Sequence, residues 1–473
     1  MTKVDIIIIG SGLGGLEVAL TMAKEGRRVL VLERQRRPGG CMQSYRRGKL
    51  NLDTGFHYVG GLEPGGQLHD AFLSHGLMNL PWQRMDMDCF EEIHIADRIF
   101  RWPQGTKEFI NAMKGYFPHE EKGLDLYNEL LESTDEVWMQ RTNAWEYLNS
   151  IISDPLLIQV LSAPATCKME LRKETVPLFT FVHCTAPFIQ SSWRLHGDGN
   201  MIVNRLQEQI RAYGGEILTG KDVTSLQEEN GRIVKVLCAD GTEYEADYFV
   251  SNAHPAVTCS LVGESMLMKK IFRHRMSMQP NTAGMFTLHL QLRCGALPYF
   301  NHNKLIFLES NCWDMAVDRS RRVKGIMISA RHPEKGEHAV NIDILTPMQW
   351  ETVADFDGSK LFHRPKAYRE LKAEVARQCM EIAGTAIPGL ADMVLNTWSS
   401  TPLTYKDYNL IPDGSAFGFR KDYANSMMTI VSPKTQIPNL FMTGQSLMLH
   451  GLHGVTMTAA YTCQEMSRTI NPE

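Results

Sequence analysis

Long apolar runs are missing from this 473-residue chain, and none approaches the ~18 residues that a membrane-spanning helix needs. An excess of positive charge is missing too. Lys and Arg number 49 against 53 Asp and Glu, a net charge of −4, so no basic field marks a nucleic-acid binder. No two of the 10 cysteines lie within four residues of each other, which excludes Cys-x-x-Cys chemistry with zinc, haem or a redox disulfide. The 16 histidines contain no His-x-x-x-His pair, and no metal constellation stands out. No Gly-x-Ser-x-Gly elbow is present, which argues against a hydrolase. Repeats, low-complexity tracts and Ser/Gly linkers are absent, so lobes would interleave rather than hang on a tether. Only Lys3 is basic at the start, and Asp5 interrupts the apolar stretch. That is unlike a signal peptide, and the expectation is a cytoplasmic protein with reduced, mostly buried thiols.

What is present is an ordinary globular composition, 43% apolar and 22% charged, enough for about three domains or two large lobes. Methionine is frequent at 26 residues. It reads as core filler, with a greasy ligand wall as the alternative. The most informative segment is the first. Val4-Asp5-Ile6-Ile7-Ile8-Ile9 reads as a buried parallel strand. It ends in Gly10-Ser11-Gly12-Leu13-Gly14-Gly15. A helical pattern through Leu16, Ala19, Leu20 and Ala23 follows, then a second strand, Val29 to Leu32, that ends at Glu33. In such a unit Gly10 permits the turn, Gly12 lets backbone approach a pyrophosphate, and Gly15 lets helix pack on strand. The helix N-terminus holds phosphate charge, and Glu33 accepts both ribose hydroxyls while disfavouring a 2′-phosphate.

FAD or NAD is then the question. Pro38-Gly39-Gly40-Cys41 and Asp53-Thr54-Gly55-Phe56-His57-Tyr58 are two more glycine turns soon after Glu33 and its neighbour Arg34. They suggest backbone wrapped around a longer cofactor, with two surface turns as the alternative. Near the other end, Ile437 to Gln445 reads as a buried strand ending at Gly444, and Gly451 to Ala460 opens a final helix. A helix N-terminus stabilises negative charge on a reduced flavin ring.

These segments together resemble the flavoprotein family of phytoene desaturases, carotenoid isomerases and retinol saturases, and look nearest the retinol saturase branch. His196-Gly197-Asp198-Gly199-Asn200-Met201, Gly214-Gly215-Glu216-Ile217 and Ala246 to Ala253 are similar to the family's middle cofactor segment. Thr401-Pro402-Leu403-Thr404-Tyr405 and Gly414 to Gly418 also look like family segments. The likeness touches nearly the whole chain and is thinnest across 80–190 and 290–400. Two positions depart from it: Cys41 stands where phytoene desaturases have Arg, and Gln445 where two-domain reductase relatives have Asp.

The resemblance implies an α/β fold, α+β in its second lobe, with a Rossmann-like FAD-binding domain interleaved with a substrate-binding domain. The FAD domain is expected at 1–75, 195–285 and 425–473, and the substrate domain at 76–194 and 286–424. Gly10, Ser11, Gly12, Leu13, Gly14, Gly15, Glu33, Arg34, Gly39, Gly40, Cys41 and Gly55 would bind the cofactor. Val223 would lie near adenine, Gly444 and Gln445 beside the ribityl chain, and Val455, Thr456 and Met457 would face the flavin pyrimidine. The implied activity is saturation or desaturation of a carbon–carbon bond in a long apolar isoprenoid or polyene, with the direction open. Alternatives are a flavin amine or protoporphyrinogen-type oxidase, and a non-catalytic binder of prenylated partners.

Such chemistry needs a placed acid or base and little water. His57, His450, His453 and Tyr405 flank the motifs and are the candidates; of these Tyr405 reads rather as pocket wall, and Asp53 reads as structural, holding the turn. Cys41 is a packing residue or a thiol beside the flavin. No second Gly-x-Gly-x-x-Gly unit exists, so electrons would be exchanged with a diffusible partner: a quinone, oxygen, a reductase or NAD(P)H. Lys269 to Met276 mixes cations with apolar side chains, and Arg319, Arg321, Arg322 and Lys324 form a second basic patch. Either is a solvated face or a site of transient contact with an anionic membrane surface. Elsewhere, residues 201–213 read as an amphipathic helix, the runs around the Glu229-Asn230-Gly231 and Asp240-Gly241 turns, Ile233 to Val236 among them, as a small β-meander, 286–300 and 338–347 as strands, and 80–190 as rich in helix-like patterns and aromatics.

Overall fold

The computed structural model describes residues 3–318, 320–333 and 335–471; Arg319 of the second basic patch lies outside the described residues. Two seven-stranded sheets organise the chain. In the first, the strand Val4–Ile9 lies between Val29–Glu33 and Glu243–Ser251, all parallel. Ile6, Ile7 and Ile8 are wholly buried, as a strand covered on both faces requires. Glu216–Thr219 extends this sheet at one edge, and Leu440–Met442 adds a parallel strand onto Glu243–Ser251. The expected meander is there: Val223–Glu229, Arg232–Cys238 and Glu243–Ser251 run antiparallel in succession. Asn230 and Gly231 turn the first corner with φ of 49° and 75°.

Helix Leu13–Lys24 follows the glycine turn and packs between Asn200–Ala212 and the final helix Gly451–Ile470. These helices bury Leu16, Leu20, Leu206, Ile210 and Met466 over one face of the sheet.

The second sheet runs Val394–Ser400, Gly284–Leu292, Asn341–Met348, Gly325–Ala330, Asn303–Phe307, Glu91–Ile95, Arg98–Trp102. Helix Lys366–Ala386 covers part of one face. The expected strand at 286–300 ends at Leu292, and the one at 338–347 is Asn341–Met348. Residues 80–190 are mainly helical, but the hairpin Glu91–Ile95/Arg98–Trp102 was not expected. Its turn residues Ala96 and Asp97 have φ of 51° and 57°, and that dipeptide lacks the Asn-Gly or Asp-Gly signature by which such a turn is recognised. Below the hairpin, the helices of 106–190 share one core with the sheet, centred on Trp102, Phe109, Phe181 and Trp313.

Candidate functional site

The glycine turn is built for close approach. Gly10 has φ 91°, and a Cβ on Gly15 would meet the Gly10 carbonyl at 2.2 Å, so helix and strand are in backbone contact there. Gly12 caps the helix with no side chain of its own, leaving the first N–H groups facing outward. The Pro-Gly-Gly-Cys turn lies against it: Gly39 N–H donates to Ser11 O and Oγ, both at 3.1 Å, and Gly40 packs on Gly12 Cα.

From this turn a cavity of about 390 Å3 extends in two directions. One arm is walled by Glu33, Lys221, Asp222, Val223 and Leu261. The other passes Gly444, Gln445 and the start of the final helix at Gly451–Val455 to a deep end. That end is formed by Tyr58, Cys167, Lys168, His183, Cys184, Phe188, Met285, Met327, Leu345, Tyr405 and Phe417.

Most of the expected site residues meet on this wall: Gly10, Gly12, Leu13, Gly14, Glu33, Arg34, Gly40, Cys41, Gly55, His57, Val223, Tyr405, Gly444, Gln445, His450, His453 and Val455. Ser11, Gly15, Gly39, Thr456 and Met457 do not line it. Ser11 donates to Glu33 Oε2 through its N–H at 2.9 Å and its hydroxyl at 2.6 Å. Gly15 and Gly39 hold the turn by packing. Thr456 turns its hydroxyl to the helix interface and donates to Glu17 at 2.8 Å, so its side chain does not face the cavity. The expectation that Glu33 accepts two ribose hydroxyls also needs revision. Gln35 N–H takes Oε1 at 2.7 Å, and with the two Ser11 bonds only about one of a carboxylate's four acceptor positions stays free.

The histidines of the deep wall carry no charge. Burial pulls His57 and His450 down to about 4 and His453 to about 3, so all three are neutral near pH 7. Burial pushes Tyr405 upward and Cys41 up to about 11; Cys41 is therefore a protonated thiol, consistent with a packing role. Tyr405 donates to Thr54 O at 3.2 Å, and His450 Nε2 lies 2.6 Å from Lys168 O.

Behind His57, the buried carboxylate of Asp343 holds His289 at 2.6 Å and Arg331 at 3.2 Å, with His57 Nδ1 at 3.7 Å. Burial alone would raise Asp343, but His289 and Arg331 outweigh it and hold it well below the usual carboxylate range. Arg331 also pairs with Asp53, which accepts from Gly199 N–H at 2.9 Å and from Ser44. The structural reading of Asp53 fits this lattice.

Three features escaped the sequence reading. Asn252, seen only as part of a segment, stands between the glycine turn and Gly444: Cβ atoms on Gly12 and Gly444 would lie 2.7 and 2.9 Å from its amide. The second is the lattice of Arg331, Asp343 and His289. The third is Lys168, which stands where an apolar stretch gives way to the charged run Glu170, Arg172, Lys173 and Glu174 and so carries no signal of its own.

The residues fit a dinucleotide such as FAD. The cavity wall includes a side-chain-free helix start, and buried Thr443 Oγ1, His57 Nε2 and His453 Nδ1 on it have no protein partner.

Residues 8–74 match the NAD(P)-binding Rossmann-like domain, and residues 179–467, more than half of the chain, match the family described as flavin containing amine oxidoreductase. Among curated relatives, all-trans-retinol 13,14-reductase of Danio rerio is 23% identical, over 97% of this chain and 85% of that protein. Prolycopene isomerase 1 of an Oncidium hybrid cultivar is 22% identical, over 93% of this chain and 80% of its own length. Among solved structures, an oxidoreductase from Methanosarcina mazei superposes with TM-score 0.67 at 17% identity, covering 97% of this chain and 100% of that one. A putrescine oxidase superposes with TM-score 0.68 at 13% identity, covering 98% and 99%. This chain is thus an oxidoreductase of the flavin containing amine oxidoreductase family, and its cofactor is FAD.

Proposed function

We propose that this enzyme acts on a carbon–carbon bond of a long apolar isoprenoid or polyene, as the names of its retinol reductase and prolycopene isomerase relatives suggest. One observation carries the choice over an amine. The deep wall offers aromatic, methionine and leucine side chains and one cation, Lys168, but no carboxylate of its own; the acids lining the cavity are Glu33 and Asp222, and Glu91 behind the wall is already paired with Lys168. An ammonium substrate buried among these groups would have no counter-ion, which is costly.

Flavin supplies hydride transfer at its N5. The chain's part is to hold and shield. Gly10, Gly12, Leu13, Gly14 and the helix start would hold the pyrophosphate, Glu33 the ribose, Val223 the adenine, and Gly444, Gln445 and Val455 the far half. His57, His453 and Tyr405, all neutral, would orient the substrate or donate hydrogen bonds to it. His450 bonds the Lys168 carbonyl and is a positioning residue. Arg34 donates to the carbonyl of Tyr408, which draws the 402–409 helix over the cavity; Gly40, Cys41 and Gly55 complete the wall. Electrons would be exchanged with a diffusible quinone, oxygen, a reductase or NAD(P)H.

We assign residues 1–75, 195–285 and 425–473 to the cofactor lobe and 76–194 and 286–424 to the substrate lobe. The distribution of strands supports this division, although one second-sheet strand starts at Gly284.

Cytoplasmic residence with peripheral membrane contact is also proposed. No helix among the described residues is long and apolar enough to cross a membrane. Ile271, Met278 and Met427 are 78%, 67% and 85% exposed, beside Lys269, Lys270, Arg273 and Arg275. Apolar tips ringed by cations suit an anionic lipid surface, where the substrate would be dissolved. The second patch is a poorer candidate, because Lys324 is paired with Glu309 and Asp318.

The test is anaerobic incubation of the chemically reduced protein with retinoids, carotenoids and other unsaturated lipids, read by mass. A two-hydrogen gain in one class is expected. No gain in any class, with hydrogen peroxide released from amines instead, would overturn the reading.

A further inference from the structure

A lysine rarely sits inside an apolar cavity without a task, because removing an ammonium from water is expensive. Lys168 follows the short helical turn Ala163–Cys167, and its side chain is 9% exposed. Its Nζ lies 3.5 Å from Glu91 Oε1, on a side chain with no exposure at all. Tyr58 donates its hydroxyl to that same oxygen. Lys168 and Tyr58 line the cavity, and Glu91 does not, so the ammonium and phenol stand in front with the carboxylate behind them. Two rings flank the cation, Phe188 at 4.1 Å and Tyr58 at 5.0 Å from their centroids. The backbone of Lys168 is tied to His450, the residue that opens the final helix.

We propose that Lys168 is the proton donor for reduction of the substrate double bond, backed by Glu91 and Tyr58. The inference rests on the polyene reading above. When hydride from reduced flavin reaches one alkene carbon, the π pair is left on the other. There a C–H bond forms as an Nζ–H bond of Lys168 breaks, and the nitrogen keeps the electron pair as a neutral amine. Tyr58 then holds the Glu91 carboxylate that has lost its cation, and water entering as product leaves restores the ammonium. Desaturation uses the neutral amine as base.

The expected candidates cannot take this part. His57, His450 and His453 are neutral near pH 7, and Tyr405 holds its proton more firmly than a free phenol. Lys168 is set the other way: burial lowers it and Glu91 pushes back, with the Tyr58 phenol and the Cys167 and Cys184 thiols the other titratable neighbours.

The test compares wild type, Lys168→Met and Lys168→Arg with all-trans-retinol and prolycopene as probes. Lys168→Met should lose roughly 100-fold or more in kcat, the scale of general acid catalysis. Its KM and bound flavin should stay near wild type, and the alkaline limb of the pH profile should vanish. Lys168→Arg keeps the charge but does not release a proton, and should be equally slow. A fast Lys168→Met enzyme, or full rescue by arginine, overturns the acid role alone. A wild type inert towards every probe overturns the polyene reading and this proposal together. In the flavin-free protein, NMR of lysine labelled at Cε should show Lys168 titrating below the other lysines, and lower still in Glu91→Gln. Titration together with surface lysines, unmoved by that change, also overturns it.

Discussion

The side-chain amide of Asn252 occupies the space beside Gly12, so that a Cβ on Gly12 would lie 2.7 Å from its Nδ2. The same amide fills the approach to Gly444 and borders Gly14. Two glycine turns far apart in sequence are therefore spaced by one side chain. Gly12→Ala should displace Asn252 and disturb both turns, at a cost of about 1–3 kcal/mol for overpacking. The expected outcome is protein purified with little flavin, read from its visible absorbance. Gly12→Ala with Asn252→Ala should recover part of it. Full flavin content in the single variant would mean that the turn does not hold the cofactor.

Thr456 tests the opposite prediction. Glu17 is a buried carboxylate that accepts from this hydroxyl and has a second oxygen with no partner. Thr456→Val should destabilise the fold by about 1–3 kcal/mol, the cost of an unsatisfied buried group, with flavin content unchanged. Thermal melting alongside the flavin-to-protein ratio checks both halves.

Arg331 joins two buried acids, Asp53 and Asp343. Arg331→Leu leaves both without it, and breaking a buried pair from one side costs about 3–5 kcal/mol. Urea unfolding should show a lower midpoint at unchanged slope. Adding Asp53→Asn should return part of the loss.

Histidines make the flavin-free protein acid-sensitive. His57, His450 and His453 have folded values of about 4, 4 and 3, below the unfolded value of about 6.5. The unfolded chain binds their protons more tightly, so stability is complete above about pH 6.5 and falls as pH drops towards 4, by up to about 1.4 kcal/mol per pH unit per histidine. Melting temperatures across this window should decline, and more gently in His450→Asn.

Exposed Ile271 and Met427 provide a handle on the membrane proposal. The wild type should sediment with vesicles containing phosphatidylserine, less so at high salt. Ile271→Asp with Met427→Asp should release it while leaving bound flavin intact. Equal sedimentation of both proteins would rule this face out.

Sequence alone determined the first βαβ unit, the meander and the final helix, because their signals are local: β-branched runs, glycines at fixed offsets and a 3.6-residue period. It also singled out His57, Tyr405, Gly444, His450 and His453, since each lies beside a glycine motif or a resembling segment; that they share one cavity wall is a matter of the tertiary structure. Only the tertiary structure decided what each side chain does. Ser11 and Thr456 turned to neighbouring carboxylates, and the hairpin at Ala96-Asp97 formed without a glycine. Asn252 came to lie between two turns, and Lys168 met Glu91 and Tyr58 from segments 77 and 110 residues away. Local spacing says nothing about such encounters. They depend on how two sheets and their helices close over one cavity, where burial makes a pairing costly to leave unmade.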